Sequence, residues 1–213
     1  MSYARILKIL TASFIRRIRG LLMSRILLTS GSLKGRDFFV SLVKEYGDHE
    51  MVFAGSGRDA RGALSRMDVD LLVIHAPLPD EFGEELAEYA SRNSYCGIIV
   101  VAKSDTDARS ILRVETAGGL VALTPLSKSL FRQTFRLACA TRNRMLGIHN
   151  ENKKLSRRLE DMGLIDRAKC VLIQVLGMTE PQAHRYIEKQ AMDLRISRAE
   201  VARSILINYA GAN

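Results

Sequence analysis

The segment Asp70–His75 reads DLLVIH and runs directly into the loop APLPD at residues 76–80. A short run of large apolar and β-branched residues that ends at prolines is typical of a strand buried on both faces of a parallel sheet. Similar runs elsewhere in the chain predict four more strands: Arg25–Thr29, Met51–Ala54, Gly97–Val101 and Leu120–Leu123.

Helical spacing of apolar residues separates these runs, and it lies near residues 33–46, 57–67, 83–92, 106–117 and 128–146. In the first of these stretches, Leu42, Val43 and Tyr46 fall on one face. Short strands that alternate with helices form an open α/β fold. The sequence therefore predicts a doubly wound, five-stranded parallel sheet over residues 23–141.

Two segments of this domain carry a family resemblance. DVDLLVIHAPLPDEFGEELA (68–87) resembles the third strand and following loop of bacterial response-regulator receiver domains, and TPLSKSL (124–130) resembles their Lys-Pro loop after the fifth strand. The resemblance implies a receiver, or flavodoxin-like, fold. It also implies where the phosphorylation residues of receivers would fall: the acidic pair on Ser30 and Gly31, the acceptor aspartate on His75, the hydroxyl on Ala102 and the lysine on Thr124.

None of these five positions keeps the residue type that phosphotransfer needs. Mg²⁺ is a hard cation that prefers carboxylate oxygens, and without it the developing phosphoryl charge is not neutralised. We therefore predict a pseudo-receiver that is not phosphorylated, is not an enzyme and holds no metal or cofactor. His75 could carry phosphate or bind a metal, but a polar residue that caps a strand is the favoured interpretation. Asp80 and Glu81 are expected in a solvated loop.

The charge of the chain is unevenly distributed. The formal net charge is +9 over 213 residues, with about +5 in residues 1–22, −1 in 23–141 and +5 in 142–213. We interpret residues 1–22 as a basic extension upstream of a domain that starts at Met23, with a mis-assigned start codon as its origin. A signal peptide and a membrane-surface helix are the alternatives. The three cysteines form no CxxC pair and no apolar run spans a membrane, which fits a reducing cytoplasm.

A different spacing begins after residue 142. Apolar residues and one asparagine alternate three and four positions apart, which predicts a short coiled-coil linker over 142–163 and a homodimer. The members of this apolar seam are Met145, Ile148, Asn152, Leu155, Leu159 and Met162. An amphipathic helix that packs on its own domain is the alternative. Gly147 and Gly163 are expected to mark bends at the two ends of the seam.

Residues 155–213 are predicted to form a three-helix bundle. The first helix stops at Gly177, and T-x-x-Q (179–182) and S-x-x-E (197–200) are capping boxes that begin the other two helices. The expected inward faces are Ile165, Ala168, Leu172 and Val175; Ala183, Tyr186, Ile187 and Gln190/Ala191; and Val201, Ala202, Ile205 and Leu206. Cys170 is expected to be a small buried residue, and His184 an exposed one.

The segment 159–206, LEDMGLIDRAKCVLIQVLGMTEPQAHRYIEKQAMDLRISRAEVARSIL, resembles an ANTAR domain, the RNA-binding module of bacterial transcription antiterminators. The matching features are LE…ID-x-AK, G-M-T-E-x-x-A, Q-A-M-D and V-A, although Cys170 replaces the usual glycine after Ala-Lys. The resemblance implies binding of a leader mRNA with two paired hairpins in a form that excludes a terminator hairpin.

The implied RNA contacts are basic residues and the Gln-Ala-Met motif. Lys169 is favoured because it matches the family motif, and Arg198 because it lies at a helix start, where phosphate is stabilised. The remaining candidates are Arg167, Arg185, Lys189, Arg195, Arg203, Gln190 and Met192.

Two other functions remain open at this point. The protein could be an adaptor whose pseudo-receiver binds a regulatory protein partner and which has no direct nucleic-acid role. It could also be a DNA-binding regulator, although the apolar third helix, with Val201, Ile205, Leu206 and Ile207, lacks the polar face that reads bases.

Overall fold

The computed structural model describes residues 24–209. The predicted extension at residues 1–22 lies outside this range. Contacts divide the chain into two compact units, with the boundary between Leu146 and Gly147.

The N-terminal unit is built on a parallel sheet with the strand order β2-β1-β3-β4-β5. The strands are β1 (Arg25–Ser30), β2 (Glu50–Ala54), β3 (Leu71–His75), β4 (Gly97–Lys103) and β5 (Leu120–Thr124). Each predicted strand is found within a few residues of its expected bounds. The strands form because their apolar runs are buried on both faces, as in β3, where Leu71, Leu72, Val73 and Ile74 are at most 1% exposed.

Helices cover both faces of this sheet. The helices of the N-terminal unit are α1 (Leu33–Lys44), α2 (Gly57–Arg66), α3 (Glu84–Asn93), α4 (Ala108–Thr116) and the first part of α5 (Lys128–Leu176). One core lies where α1 and α5 meet the sheet and includes Phe39, Leu42 and Phe131. The other core includes Ala60 of α2, Leu86 of α3 and Val114 of α4. The predicted α/β doubly wound fold is confirmed.

The strand register brings the carboxyl ends of the strands together. Ser30 pairs with His75 across β1 and β3, His75 with Val101 across β3 and β4, and Lys103 with Thr124 across β4 and β5. In open parallel sheets, ligands bind outside this edge. The five positions that correspond to the receiver phosphorylation site therefore lie close together.

α5 runs from Lys128 to Leu176, so Gly147 and Gly163 both lie inside one assigned helix. A glycine costs a helix about 1 kcal/mol relative to alanine, and this helix of 49 residues accommodates two of them. The apolar members of the seam are 47–69% exposed. Asn152 is exposed as well.

The C-terminal unit contains the end of α5, α6 (Glu180–Leu194) and α7 (Arg198–Tyr209). Gly177 follows α5 with a φ of +64°, a conformation that favours glycine. Gln182 accepts a hydrogen bond from the Thr179 N–H at 2.8 Å. Ser197 and Glu200 cap each other's backbone N–H, at 2.8 and 3.2 Å. The predicted helix starts and ends are thus confirmed.

Alanines form the centre of this small bundle. Ala168, Ala183 and Ala202 are fully buried, next to Leu172 and Ile187. Since an alanine side chain is a single methyl group, the helix backbones can approach closely.

Three inward-facing predictions in the bundle are wrong: Val175 is 50% exposed, Tyr186 is 38% exposed and Cys170 is exposed. The buried core of the bundle is small and consists mainly of alanines with Leu172, Ile187, Val201 and Ile205, so residues at the edge of the apolar stripe remain in solvent.

Within residues 24–209, no helix combines the length and the hydropathy needed to cross a membrane.

Candidate functional site

The first candidate site is a cavity of about 390 Å³ at the carboxyl edge of the sheet. Gly31, His75, Ala102 and Thr124, four of the five positions matched to the receiver phosphorylation site, line this cavity. Ser30, the fifth, hydrogen-bonds His75. The five residues that were matched to the receiver phosphorylation site by sequence resemblance are therefore neighbours in space.

His75 occupies the position of the acceptor aspartate. Its Nδ1 lies 3.0 Å from the Ser30 hydroxyl oxygen, and its ring packs against Phe39 with centroids 5.4 Å apart. Burial lowers the pKa of His75 below its ordinary value, because desolvation penalises the imidazolium. The ring is held in place by a hydrogen bond and an aromatic contact, consistent with a polar residue that caps β3.

No carboxylate lines this cavity within the part of the chain that the structure describes, and Lys103 is its only charged lining residue. Lys103 follows Ala102 directly but is not among the site residues predicted from the sequence. The described residues also contain no group of three or more His, Cys, Asp or Glu side chains that could hold a metal ion. The cavity is therefore neutral to basic, unlike a site that coordinates Mg²⁺ through carboxylates.

Asp80 and Glu81 both bind groups of α2. Asp80 is exposed, as expected for a solvated loop, whereas Glu81 is not. Asp80 accepts hydrogen bonds from the N–H groups of Gly57 and Arg58 at 2.8 and 3.0 Å. These bonds lower the pKa of Asp80. Glu81 pairs with Arg61 at 2.6 Å, and its side chain is only 9% exposed. Asp80 thus binds the start of α2, where backbone N–H groups favour negative charge, and Glu81 pairs with a side chain further along the same helix, so both fasten the β3 loop to α2.

The second candidate site is the basic surface of the C-terminal unit. Here both of the favoured residues, Lys169 and Arg198, are engaged in ion pairs. The Lys169 ammonium lies 2.9 Å from Asp166 and 3.0 Å from Glu180, and these pairs raise its pKa. Its side chain is only 17% exposed. Arg198 lies 3.1 Å from Glu188 and is 54% exposed.

The other candidates are more accessible. Arg185 and Lys189 are exposed and four residues apart, so they share a face of α6. Met192 follows on the same side and is 72% exposed. Arg195 is exposed and ends α6 in a left-handed conformation, with a φ of +55°. Arg203 is exposed on α7, and Gln190 is partly buried.

The remaining two residues considered in this unit are less free. Arg167 is exposed, but its Nε donates to the Gly163 carbonyl oxygen at 3.3 Å within α5. His184 lies 3.3 Å from Glu188 and is 45% exposed. The structure therefore separates the basic residues into an ion-paired set and an accessible set.

These features define the class of the protein: a parallel α/β domain with a receiver-like strand order and a small helical unit with a basic surface. The sheet domain is similar to a signal receiver domain of an HD domain-containing protein from Pseudomonas fluorescens Pf-5, with a TM-score of 0.54 and 19% identity, covering 59% of this chain and 93% of that chain. It is also similar to a CheY-like response regulator receiver domain protein from Methanospirillum hungatei JF-1, with a TM-score of 0.52 and 16% identity, covering 58% of this chain and 98% of that chain.

Residues 153–206 match the family model of the ANTAR domain. Along most of its length the chain is similar to the transcriptional regulatory protein PdtaR of Mycobacterium tuberculosis, with 29% identity over 184 residues, 85% of this chain and 89% of that protein. The protein therefore combines an N-terminal domain of the receiver fold with a C-terminal ANTAR domain. The architecture predicted from the sequence is confirmed.

Proposed function

We propose that this protein is a transcription antitermination regulator that binds leader mRNA with two paired hairpins through its ANTAR domain, as a homodimer. The match of residues 153–206 to the ANTAR domain carries this proposal. The similarity to a protein named as a transcriptional regulator, over 85% of this chain, supports it. The receiver-fold domain is proposed not to accept phosphate, so a regulatory protein partner or a small ligand would have to control it.

RNA recognition is proposed to use the accessible basic residues of α6 and its end. Hairpin loops present unstacked bases together with phosphates, and both are needed for sequence-specific binding of RNA. Arg185 and Lys189 offer two cations one helical turn apart, and Arg195 offers a third at the end of the helix. Met192 provides an exposed apolar side chain for contact with bases. Gln190 supplies an amide at the edge of this surface.

Lys169 and Arg198 are proposed as secondary contacts. Each would have to exchange a carboxylate partner for an RNA phosphate. Exchange of one anion for another gains less than pairing of a free cation, so their contribution should be smaller than that of Arg185 and Lys189. Arg198 retains an advantage from its place at the start of α7, where the helix dipole favours phosphate.

Two double variants test this division, and both remove two positive charges. We expect Arg185→Ala with Lys189→Ala to weaken binding to a twin-hairpin RNA more than Lys169→Ala with Arg198→Ala. Loss of two phosphate contacts should flatten the dependence of log K on log salt by about 1.4 for a single-stranded target. Fluorescence anisotropy over a salt series measures both quantities.

Arg109→Ala with Arg136→Ala is the charge-matched control, because both residues are exposed and lie in the receiver-fold domain. Unchanged affinity and slope in both ANTAR variants, or an equal loss in the control, would contradict the proposed RNA surface. Such a result would instead favour the adaptor function, which the ion pairing of Lys169 and Arg198 allows.

The dimer is proposed to form through the apolar seam of α5. Five apolar side chains of the seam are about half exposed or more, and each would be covered by a second copy of the same helix. A single asparagine among such residues costs stability but fixes the register of a parallel pair. Two linked ANTAR domains could then bind two hairpins, and linkage raises the effective concentration of the second domain.

Leu155→Asp tests the seam. A carboxylate buried against its copy is strongly unfavourable, so we expect sedimentation or light scattering to report a monomer. Lys154→Asp is the matched control, because Lys154 is exposed and precedes Leu155 on a face outside the seam. A Leu155→Asp protein that keeps the mass of a dimer would contradict the seam, whereas dissociation of both variants would point to a general effect of charge.

A further inference from the structure

The C-terminal unit contains two tyrosines and no phenylalanine or tryptophan, and the two tyrosines have different surroundings. Tyr209, the last residue of α7, packs against the bundle core. Tyr186, in the middle of α6, is 38% exposed. The structure gives the Tyr186 hydroxyl no hydrogen-bond partner among residues 24–209. Neither a place in the core nor a hydrogen bond therefore accounts for a tyrosine at this position.

The neighbours of Tyr186 on the surface of α6 are basic or polar. Lys189 and Gln190 lie three and four residues further along the helix, so their side chains adjoin the ring. Arg185 precedes it and is exposed. Glu188, which is ion-paired, lies two residues away and therefore on nearly the opposite side of the helix. Sites for single-stranded nucleic acid combine cations for the backbone with aromatic rings on which bases stack.

We propose that Tyr186 forms a subsite for one unpaired base of a hairpin loop. The base stacks on the ring, while Arg185 and Lys189 bind the phosphates beside it. Unpaired loop bases can turn outward and stack on aromatic side chains. This subsite rests on the proposed RNA function. Every base presents a flat π face, so Tyr186 contributes affinity and fixes the position of the loop without selecting which base it holds.

The subsite also discriminates between a loop and a duplex. Bases inside a duplex are already stacked on each other and are not available to a protein side chain. The cations of α6 attract both kinds of RNA, because both carry phosphates. The ring of Tyr186 adds binding free energy only where a base is unpaired, so it favours the hairpin loops over the stems that carry them.

The probe is a twin-hairpin RNA taken from the RNA that copurifies with the full chain, and fluorescence anisotropy measures its binding. Tyr186→Leu keeps an apolar side chain but removes the ring. We expect it to weaken binding by roughly 5- to 150-fold, the range that corresponds to the loss of one stacked base. Tyr186→Phe, which keeps the ring, should retain most of the affinity. The slope of log K against log salt should not change in Tyr186→Leu, because a neutral side chain releases no counterions.

Replacement of one loop nucleotide at a time by an abasic one identifies the base, because this change removes the base and keeps its phosphate. At the stacked position, the abasic RNA should bind the unmodified chain more weakly but should bind Tyr186→Leu no more weakly than the intact RNA does. Both changes remove the same contact, so their effects should not add. A loss in Tyr186→Leu that persists with every abasic RNA would overturn the subsite.

A duplex RNA without loops separates stacking from a general defect of the fold. Tyr186→Leu and the unmodified chain should bind this duplex equally, whereas an equal loss on hairpins and duplex would contradict the subsite. Tyr95→Leu is the matched control, because it removes a tyrosine that is 48% exposed from the receiver-fold domain. Its affinity for the twin-hairpin RNA should equal that of the unmodified chain.

The outcomes separate the subsite from the function on which it rests. If Tyr186→Leu binds the twin-hairpin RNA as tightly as the unmodified chain, the subsite is wrong and the proposed RNA function stands. An equal loss in Tyr186→Phe or in Tyr95→Leu would also overturn it, because the ring of Tyr186 would then not be the cause. If the unmodified chain binds no RNA, the proposed function fails and the subsite fails with it.

Discussion

Gly35→Ala should destabilise this protein only when His75 is present. Gly35 is a buried residue in the first turn of α1. A Cβ at this position would lie 2.4 Å from the His75 Nδ1, 2.7 Å from its Cε1 and 2.9 Å from the Ser30 hydroxyl oxygen. Such distances are far inside van der Waals contact. The imidazole would have to move away from α1.

Three energies decide the sign of the effect. Movement of the ring breaks the hydrogen bond between Ser30 and His75, worth about 1 kcal/mol net, and overpacking typically costs about 1–3 kcal/mol. Alanine gains at most about 1 kcal/mol over glycine in a helix. Gly35→Ala should therefore lower the free energy of unfolding by about 1–3 kcal/mol. In a His75→Ala background the ring is gone, so the same change should be neutral or stabilise by up to about 1 kcal/mol.

The assay is a double-mutant cycle on the full chain. Urea unfolding followed by hydrogen exchange in peptides that cover β1 and β3 reports on the receiver-fold domain alone, which avoids mixing two units in one transition. We expect a coupling energy of about 2 kcal/mol. An equal effect of Gly35→Ala in both backgrounds would refute the claim that the His75 ring packs against α1 in this site.

Two further predictions concern the same region. Incubation with acetyl phosphate and Mg²⁺ should leave the intact mass of the chain unchanged. The His75→Asp variant should not form a phosphoryl adduct either, since positions 30, 31 and 124 hold no carboxylate or lysine to support the new aspartate. A stable phosphoryl adduct on either protein would be evidence against the pseudo-receiver. Burial lowers the pKa values of His49 and His75 in the folded protein. As the pH falls, the unfolded chain therefore binds protons at these histidines before the folded chain does. Their contribution to stability is complete above about pH 6.5 and is lost as the pH falls through their folded pKa values. The urea midpoint of β3 exchange should accordingly drop between about pH 7.5 and 5.5, by less in His49→Gln and His75→Asn, and an unchanged drop in both variants would contradict this assignment.

The sequence was sufficient for the strands, the helices and the cluster at the carboxyl edge of the sheet, because each depends on local patterns. Runs such as Leu71–Ile74 can be buried in few other ways, and parallel topology then brings His75, Ser30 and Thr124 to one edge. The capping boxes at Thr179 and Ser197 were equally readable, since their partners are only three residues away.

The contacts that could not be predicted from the sequence have a different physical origin. Asp80 and Glu81 bind groups more than nineteen residues earlier in the chain, at Gly57 and Arg61, and no local pattern encodes such a pairing. The pairing of Lys169 with Glu180 likewise crosses from α5 to α6. A count of charges in the sequence treats each lysine or arginine as unpaired. In the folded protein, some of these cations are neutralised by nearby carboxylates and others are not.

The residues that replace the receiver phosphorylation groups do more than remove catalytic side chains, because they hold this edge of the sheet in place. Gly35 gives the His75 ring space beside α1, Ser30 hydrogen-bonds it, and Phe39 packs against it. Asp80 and Glu81 meanwhile fasten the following loop to α2. A receiver that switches must be able to rearrange around its acceptor residue. In this protein the corresponding residue is tied to α1 and its loop to α2.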